Sequence, residues 1–325
     1  MRPRKRDLDL PVRMRRKGRS FYYRSRDGRE IPLGRNLAEA RLRWAELENQ
    51  HLSADALFSS VRIRFAREVI PQKAPRTQKD YTRHLDILGK VFDSMPIGVI
   101  TPAHVRRYLD LRQKQSLVQS NRERAVLSYL FNWARGVGIL AGANPVTGVH
   151  GRKERGRSVY VDDAAYKAVW DASGPSLRDA LDLARLTGQR PADVLAMSFR
   201  DIREGCLEIR QKKTGQPLRI EVVGELAAVI ERIRARAAGE AVSSVFLVQE
   251  KGQRVSYWRL AHLFQDARKA TGEMWQFRDL RAKAATERTE ESGAREAQRL
   301  LGHSSVTMTE AYIRQRRGEK VKPLK

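Results

Sequence analysis

The sequence has very little cysteine: Cys206 is the single one among 325 residues. A lone thiol cannot form an intramolecular disulfide, and no cluster of cysteines and histidines has the spacing of a zinc site. The six histidines are scattered along the chain. The sequence therefore predicts neither a disulfide framework nor a structural metal.

Long hydrophobic runs are also missing. No stretch approaches the roughly 18 apolar residues of a membrane-spanning helix, and the amino terminus lacks the apolar core of a secretion signal. Phosphate-binding loops of the forms G-x-x-x-x-G-K-[ST] and G-x-G-x-x-G are absent as well. We therefore expect a soluble, intracellular protein whose chemistry needs no cofactor, neither ATP nor NAD.

Acidic residues are scarce relative to basic ones. The chain carries 64 Lys and Arg against 38 Asp and Glu, a formal net charge of +26. Such an excess repels itself, and only a polyanionic partner turns it into an advantage, so nucleic acid is the leading candidate partner. Hydrophobic residues make up 41% of the chain, which excludes wholesale disorder. The length predicts two or three domains.

Residues 1–52 form a strongly basic segment with an aromatic triplet at 21–23. A turn at Asp27 and Gly28 and a helical pattern over 37–52 predict a small ββ(β)α module. A basic sheet edged with tyrosines suits contact with a DNA backbone or groove. The alternative interpretation is a solvated basic tail with a chance hairpin.

Residues 53–150 show helical periodicity and predict a helical bundle, with Thr77, Thr101 and Ser120 as expected helix N-caps. Near the end of this segment the periodicity breaks, and a charged run follows over 151–157. Both features indicate a linker, after which a further domain is expected to begin.

The segment T-G-Q-R-P-A-D at 187–193 predicts a tight junction between two helices. Gly188 is expected to end the first helix and Pro191 to begin the second, which leaves Arg190 at the junction. Asp193 falls in the first turn of the second helix, where the helix dipole favours a carboxylate. Taken alone, Arg190 is better interpreted as a surface arginine.

Two alternating apolar patterns flank a turn at 211–217 that carries Lys212 and Lys213, which predicts a β-hairpin. An ammonium group at the tip of a hairpin can swing into a groove and donate a proton to a departing alkoxide. Taken alone, these residues are better interpreted as exposed lysines that increase solubility.

Two further motifs lie near the carboxyl end. Arg278 and Arg281 are spaced i, i+3 at the expected start of an alanine-rich helix, which predicts both guanidinium groups on one face, where they could clamp a phosphate. A glycine and serine break at 302–305 separates two helices and lets His303 and Tyr312 face one site. The alternatives are a solvated helix face for the arginines and packing roles for His303 and Tyr312.

Taken in order, these motifs resemble the catalytic set of the tyrosine recombinases, the phage integrase family. The matching elements are T-G-Q-R-P-A-D at 187–193, K-K-T-G at 212–215, R-D-L-R at 278–281, L-G-H at 301–303, and Tyr312. The resemblance covers residues 158–315 well. More loosely, the segments before it are similar to the arm-type and core-type DNA-binding domains of temperate-phage integrases. The implied organisation is an arm-type module at 1–52, a core-type domain at 53–150, a catalytic domain at 151–315 and a basic tail at 316–325.

The resemblance also implies roles for the basic residues. Arg190 and Arg281 would clamp the scissile phosphate, with Asp193 helping to hold Arg190. Lys213, rather than Lys212, would protonate the leaving 5′ oxygen.

His303 would hydrogen-bond the scissile phosphate, and Tyr312 would attack it to form a 3′-phosphotyrosyl link. Arg278 departs from the family pattern, in which histidine is more common at this position. Because a guanidinium cannot act as a general base at any working pH, we interpret Arg278 as an active variant that contributes positive charge.

The expected fold is therefore multidomain and mainly α with small β sheets, and its catalytic domain is mixed α/β but mostly helical. The expected function is integration and excision of phage or mobile-element DNA in a bacterial cytoplasm, by a homotetramer on double-stranded attachment sites. Accessory DNA-bending proteins are further candidate partners. The alternatives are a resolvase-type recombinase and a catalytically silent DNA-binding regulator that keeps the fold. An RNA-binding basic protein is disfavoured, because the ordered motifs would then be accidental.

Overall fold

A computed structural model of the chain describes residues 10–11, 13–25, 28–53, 56–154, 156, 159–240 and 244–314. For residues 45, 46, 48–53 and 311–314 it describes the backbone alone. The chain divides into two compact units between Glu154 and Arg155. Among the described residues, no helix combines the length and the apolar composition that a membrane crossing requires.

The first unit begins with a small sheet and a helix. Their bounds are β1 (Met14–Lys17), β2 (Ser20–Arg24), β3 (Glu30–Gly34) and α1 (Leu37–Ser53). The strands are antiparallel in the order β1-β2-β3. Alternation along β2 buries Phe21 and Tyr23 in a core shared with Leu33. The predicted ββ(β)α module is confirmed with its optional third strand, although the predicted turn residue Asp27 lies outside the described residues.

A helical bundle follows in the first unit, as predicted. Its helices are α2 (Phe58–Val69), α3 (Pro75–Phe92), α4 (Pro102–Arg112) and α5 (Leu117–Gly136), with short 3-10 turns at 70–72 and 97–99. Their apolar faces meet in one core. A buried Glu123 on α5 accepts hydrogen bonds from the Tyr108 hydroxyl at 2.6 Å and from the Arg112 guanidinium at 2.9 Å, which joins α4 to α5.

One of the three predicted N-caps in the bundle is confirmed. Thr101 precedes α4 and accepts a hydrogen bond from the backbone N–H of His104, whose ring accepts one in return. Thr77 is wrong, because Pro75 begins α3 two residues earlier. Proline suits the first helical position, since its φ angle is already helical and the missing N–H is not needed there.

The predicted cap at Ser120 is also wrong. The hydroxyl of Ser116 accepts a hydrogen bond from the backbone N–H of Gln119 and begins α5 one turn earlier. The Ser120 hydroxyl instead donates to a carbonyl of its own helix, that of Leu117, at 2.8 Å. Two serines at helical spacing compete for such a cap, and the apolar pattern alone does not separate them.

The segment after α5, which was expected to begin a linker, packs on the bundle instead. Asn144 is buried, and its amide donates to the Ser128 carbonyl at 3.1 Å and to the Asn132 side chain at 2.9 Å. Val146 and Val149 belong to the bundle core. Loss of helical periodicity at this segment therefore marks the end of a helix and not the beginning of a linker.

The second unit is mostly helical around a small sheet. Its elements are α6 (Asp163–Asp171), α7 (Pro175–Thr187), α8 (Pro191–Val194), β4 (Ile202–Arg203), β5 (Cys206–Arg210), β6 (Pro217–Glu221), α9 (Gly224–Ala238), β7 (Gln249–Glu250), β8 (Gln253–Arg254), α10 (Tyr257–Thr271), α11 (Leu280–Ser292), α12 (Ala294–Leu301) and α13 (Val306–Arg314). Helices α7, α9 and α10 and the sheet share one hydrophobic core. The expected mainly α fold with small sheets is confirmed.

The predicted hairpin of the second unit is β5 and β6, which pair Leu207 with Ile220 and Ile209 with Leu218. A short strand that the sequence did not indicate, β4, extends this sheet on the other side of β5. The hairpin turn is anchored at Gln211, whose backbone N–H donates to the carbonyl of Gln216 at 3.0 Å. The hairpin thus presents its lysines at a fixed end of the sheet.

Candidate active site

Arg190 lies at the junction that the sequence predicts. Gly188 ends α7 with a left-handed φ of 64°, and Pro191 begins α8. The intervening Arg190 is in extended backbone and is half-buried. Its Nη1 donates to Oε1 of Gln211 at 3.1 Å and lies 3.9 Å from a carboxylate oxygen of Asp193.

Asp193 is buried in the first turn of α8 and contacts the hairpin. Its Oδ1 accepts a hydrogen bond from the backbone N–H of Lys212 at 2.9 Å. The carboxylate therefore joins the Arg190 junction to the turn that carries Lys213. A supporting role of Asp193 in the site stays a prediction.

Arg281 occupies the first turn of α11 and is 4% exposed. Its Nη1 donates to the carbonyl of Gly188 at 2.8 Å, and its Nη2 donates to the carbonyl of Leu301 at 2.7 Å. These two carbonyls end α7 and α12, so Arg281 connects three helices. Buried charge of this kind is tolerated because charge-assisted hydrogen bonds replace its hydration.

His303 follows Gly302, which ends α12 with a φ of 63°, and its ring is buried beside Arg281. Its Nε2 lies 3.0 Å from Nη2 of Arg281, and its Nδ1 lies 2.9 Å from Oγ1 of Thr309. A guanidinium can only donate, so Nε2 accepts and the ring proton resides on Nδ1. Burial, with Arg281 and Arg190 adding to it, lowers the pKa of His303 to about 4. The imidazole is therefore neutral at physiological pH.

Tyr312 lies in α13, nine residues after His303 and one turn after the buried Thr309. The hydrogen bond between Thr309 and His303 attaches this helix to the site. Ser305 caps the helix, since its hydroxyl accepts from the backbone N–H of Thr307 at 3.2 Å. The side chain of Tyr312 lies outside the described residues, as does the tail at 316–325.

Two predicted site residues are not brought into contact with this cluster. Lys213 is exposed at the tip of the hairpin turn. Arg278 is exposed in a 3-10 turn at 277–279, before α11 begins, and makes no ion pair or side-chain hydrogen bond with the described residues. Arg278 and Arg281 thus differ in burial, although the 3-10 turn leads directly into α11, and a shared helix face for the two stays a prediction.

Sequence reasoning missed Gln211, Gln189 and Thr309. Gln211 is fully buried and contacts the Arg190 side chain, the hairpin turn and the end of α12. Gln189 lies within the predicted T-G-Q-R motif, and its amide donates to the carbonyls of Thr187 and Leu300. An uncharged amide beside a lysine motif carries no charge signal, and its partners are distant in sequence.

The cluster combines two arginines, a neutral histidine and a buried carboxylate around the junction of α7, α11 and α12. Guanidinium groups held in place before a substrate arrives are suited to stabilise a phosphate whose charge increases in a transition state. Arg190 retains exposed surface, whereas Arg281 is buried and donates hydrogen bonds to two backbone carbonyls. The geometry is suited to a phosphate, and the tyrosine-bearing helix is attached to the site through Thr309.

The comparisons with known proteins agree with this geometry. Residues 162–319 match the model of the phage integrase family, a range that includes every predicted site residue. The chain is 27% identical to the integrase of Escherichia phage HK022 over 339 residues, covering 95% of this chain and 94% of the relative.

Solved structures are similar over nearly the whole chain. A lambda integrase dimer bound to a COC′ core site has a TM-score of 0.74 at 23% identity and covers 98% of each chain. A lambda integrase tetramer bound to a Holliday junction has a TM-score of 0.71 at 22% identity, covering 92% of this chain and 97% of the other. The resemblance that the motifs predicted is confirmed: residues 162–319 match the phage integrase family, and the relative aligned over nearly the whole chain is a phage integrase.

Proposed function

We propose that the chain is a site-specific recombinase that integrates and excises phage or mobile-element DNA through a covalent phosphotyrosyl intermediate. The observation that carries the proposal is the buried contact between Arg281 and His303 beside Arg190. Tyr312 lies on the next helix after His303. This arrangement supplies fixed positive charge without requiring a metal ion or a nucleotide.

In the proposed reaction, the Tyr312 oxygen attacks the scissile phosphorus. A bond forms between phosphorus and the phenol oxygen, and the bond from phosphorus to the 5′ oxygen breaks. Arg190 and Arg281 stabilise the charge of the pentacoordinate transition state, and the phenol transfers its proton to a water molecule as it attacks. Lys213 supplies a proton to the departing 5′ oxygen. A 5′ hydroxyl from a partner strand then reverses these steps and reseals the DNA, so no external energy source is needed.

The proposed role of His303 follows from its protonation state. A neutral ring with its proton on Nδ1 presents Nε2 to Arg281 as an acceptor. The ring thereby holds Nη2 of Arg281, together with the Leu301 carbonyl, in a single orientation. Through this contact the neutral ring keeps Arg281 directed at the scissile phosphate.

The proposed organisation has an arm-type DNA-binding module at 1–52, a core-type domain at 53–150 and a catalytic domain at 151–315. The proposed partners are double-stranded attachment sites and three further copies of the chain, as in the lambda integrase tetramer. Accessory DNA-bending proteins are candidate partners because a module that binds distant arm sites requires bent DNA. The proposed location is the bacterial cytoplasm, where chromosomal DNA is accessible.

A trapped covalent adduct tests the proposal. Nicked duplexes carrying the junction sequences at the two ends of the mobile element are incubated with the full chain, and adducts are separated on a denaturing gel. Wild type and Tyr257→Phe should form an adduct, and Tyr312→Phe should form none. Tyr257 is 63% exposed on α10 and serves as the control for loss of a phenol hydroxyl.

The alternative function, a silent DNA-binding regulator, is favoured by Arg278 in place of the usual histidine. It predicts tight, site-specific binding of the same duplexes without any adduct from the wild type. Failure to form an adduct on duplexes that the protein binds specifically would therefore contradict the recombinase proposal.

A further inference from the structure

The side chain of Gln211 lies at the centre of the site without belonging to any of the family motifs that led to it. Its residue is 0% exposed, although it begins an exposed turn. The amide oxygen accepts from Nη1 of Arg190 at 3.1 Å and from the Thr214 hydroxyl at 2.8 Å. The amide nitrogen donates to Oε1 of Gln189 at 2.7 Å and to the carbonyl of Leu301 at 2.9 Å.

These four hydrogen bonds use the full capacity of the amide. Two lone pairs of the oxygen meet two donors, and two hydrogens of the nitrogen meet two acceptors. The opposite orientation of the amide would direct its hydrogens at a guanidinium, which has no acceptor. The orientation of Gln211 is therefore fixed by its neighbours, and a side chain so completely satisfied is rigid.

The same residue closes the turn that carries Lys213. Besides the Thr214 hydroxyl on the amide oxygen, the backbone N–H of Gly215 donates to the Gln211 carbonyl at 2.8 Å. Gly215 has a left-handed φ of 72°, which this tight turn requires. Lys213, though exposed, therefore extends from a turn that begins at Gln211 and is closed by hydrogen bonds from Thr214 and Gly215 back to that residue.

The end of α12 leaves room for the amide. A Cβ atom at Gly302 would lie 3.0 Å from the amide nitrogen of Gln211, closer than nearly all real Cβ contacts. Gly302 is the residue immediately before His303. The Gln211 amide thus lies between the hairpin and the residue before His303. Any residue larger than glycine at position 302 would reduce the space for this amide.

We propose that Gln211 is a positioning residue that connects the proton donor of the reaction, Lys213, to the phosphate-binding Arg190. This inference rests on the proposed function, because it assigns Gln211 to the step in which Lys213 protonates the leaving 5′ oxygen. Arg190, the hairpin turn and the end of α12 move as one unit because the amide links all three. Lys213 thereby reaches the leaving oxygen only when Arg190 is in place on the phosphate.

The test compares two leaving groups at the scissile phosphate of the same nicked duplex. In one the bridging atom is the normal 5′ oxygen, and in the other it is sulfur. Attack by Tyr312 forms the same bond to phosphorus in both, but the sulfur departs as a thiolate. A thiol has a pKa of about 8.5 and leaves without a proton, so the sulfur substrate does not need the lysine step.

Gln211→Leu should slow cleavage of the oxygen substrate by about 100-fold, the lower end of the range for losing general acid catalysis. It should slow the sulfur substrate far less, by about tenfold at most, because only the lost hydrogen bond to Arg190 acts there. Lys213→Ala should show the same pattern. Gln253→Leu, which removes an exposed glutamine from β8, is the control and should cleave both substrates normally.

A second variant tests the inference independently, in case Gln211→Leu does not fold. Thr214→Val changes an exposed residue and removes the hydrogen bond from its hydroxyl to the Gln211 amide oxygen. It should slow only the oxygen substrate, by about two- to tenfold, which corresponds to the loss of one hydrogen bond. Equal slowing of both substrates by Gln211→Leu, or a wild-type oxygen rate in Thr214→Val, would overturn the inference. Absence of any adduct from the wild type on either substrate would instead overturn the proposed function.

Discussion

The candidate site has two regions that differ in how their basic side chains are held. In the anchored region, Arg281 and His303 are buried and bound to each other and to carbonyls from two other helices. In the exposed region, Lys213 and Arg278 extend into solvent from turns. The basic side chains of the anchored region are part of the folded core, whereas those of the exposed region remain accessible to a ligand.

This difference separates two tasks that a strand-exchange enzyme must perform. Charge that stabilises a transition state is most effective when it needs no reorganisation, which burial and fixed hydrogen bonds provide. A proton donor must reach the leaving oxygen during cleavage, and the same amine must accept the proton of the incoming 5′ hydroxyl when the strand is resealed. An exposed lysine on a turn satisfies that requirement, and the buried Gln211 limits its range of motion.

The largest contrast between the regions should appear when one cation is removed from each. Arg281→Ala should reduce the cleavage rate about 1,000-fold and also lower the free energy of unfolding by about 2–3 kcal/mol, because the carbonyls of Gly188 and Leu301 lose charged donors. Lys213→Ala, the matched variant of the exposed region, should reduce cleavage about 100-fold or more with unchanged stability. Single-turnover cleavage and urea unfolding measure the two quantities. A stable Arg281→Ala protein would show that the anchored region is not part of the core.

A smaller effect is expected from the pH dependence of stability. The native pKa of His303, about 4, lies below the value of about 6.5 for an unfolded histidine. Between these values the unfolded chain binds a proton that the native chain does not, so lowering the pH destabilises the native state. The stability that the neutral ring contributes is complete above pH 6.5 and is lost as the pH falls toward 4.

Urea unfolding at pH 7 and pH 5 measures this contribution. The wild type should lose about 1–2 kcal/mol more over this interval than His303→Gln, which has no titrating ring. His262→Gln serves as the control, since His262 is exposed on α10. Equal pH dependence of the wild type and His303→Gln would mean that the ring is not held neutral by the anchored region.

The two regions also differ in what could be predicted from the sequence. Local signals located the Gly188 and Pro191 junction and the lysine hairpin, because helix ends and turns depend on residues close in the chain. The burial of Arg281 could not be predicted, since its carbonyl partners at Gly188 and Leu301 lie 93 and 20 residues away. Helical spacing also gave no sign that Arg278 is exposed while Arg281 is buried.

Gln211 and Thr309 were missed for the same reason. Gln211 receives its function from Arg190, 21 residues earlier, and from Leu301, 90 residues later. Thr309 is one of several hydroxyls in a short helix, and only its contact with His303 distinguishes it. Charged and aromatic residues that match a family motif are recognisable in a single sequence, whereas the uncharged residues that hold them are not.

The smallest effect is expected at Arg278, where the exposed region departs from the family. Arg278→His should keep the positive charge below about pH 6.5 and lose it above, because an exposed histidine titrates near that value. Its cleavage rate should therefore equal that of the wild type at pH 5.5 and fall below it by less than tenfold at pH 8. The measurement is single-turnover cleavage across this range, with Arg288→His on α11 as the control. If the usual histidine instead activated an inactive wild type, Arg278 would be the cause of a silent site, and the exposed region would determine whether the enzyme reacts at all.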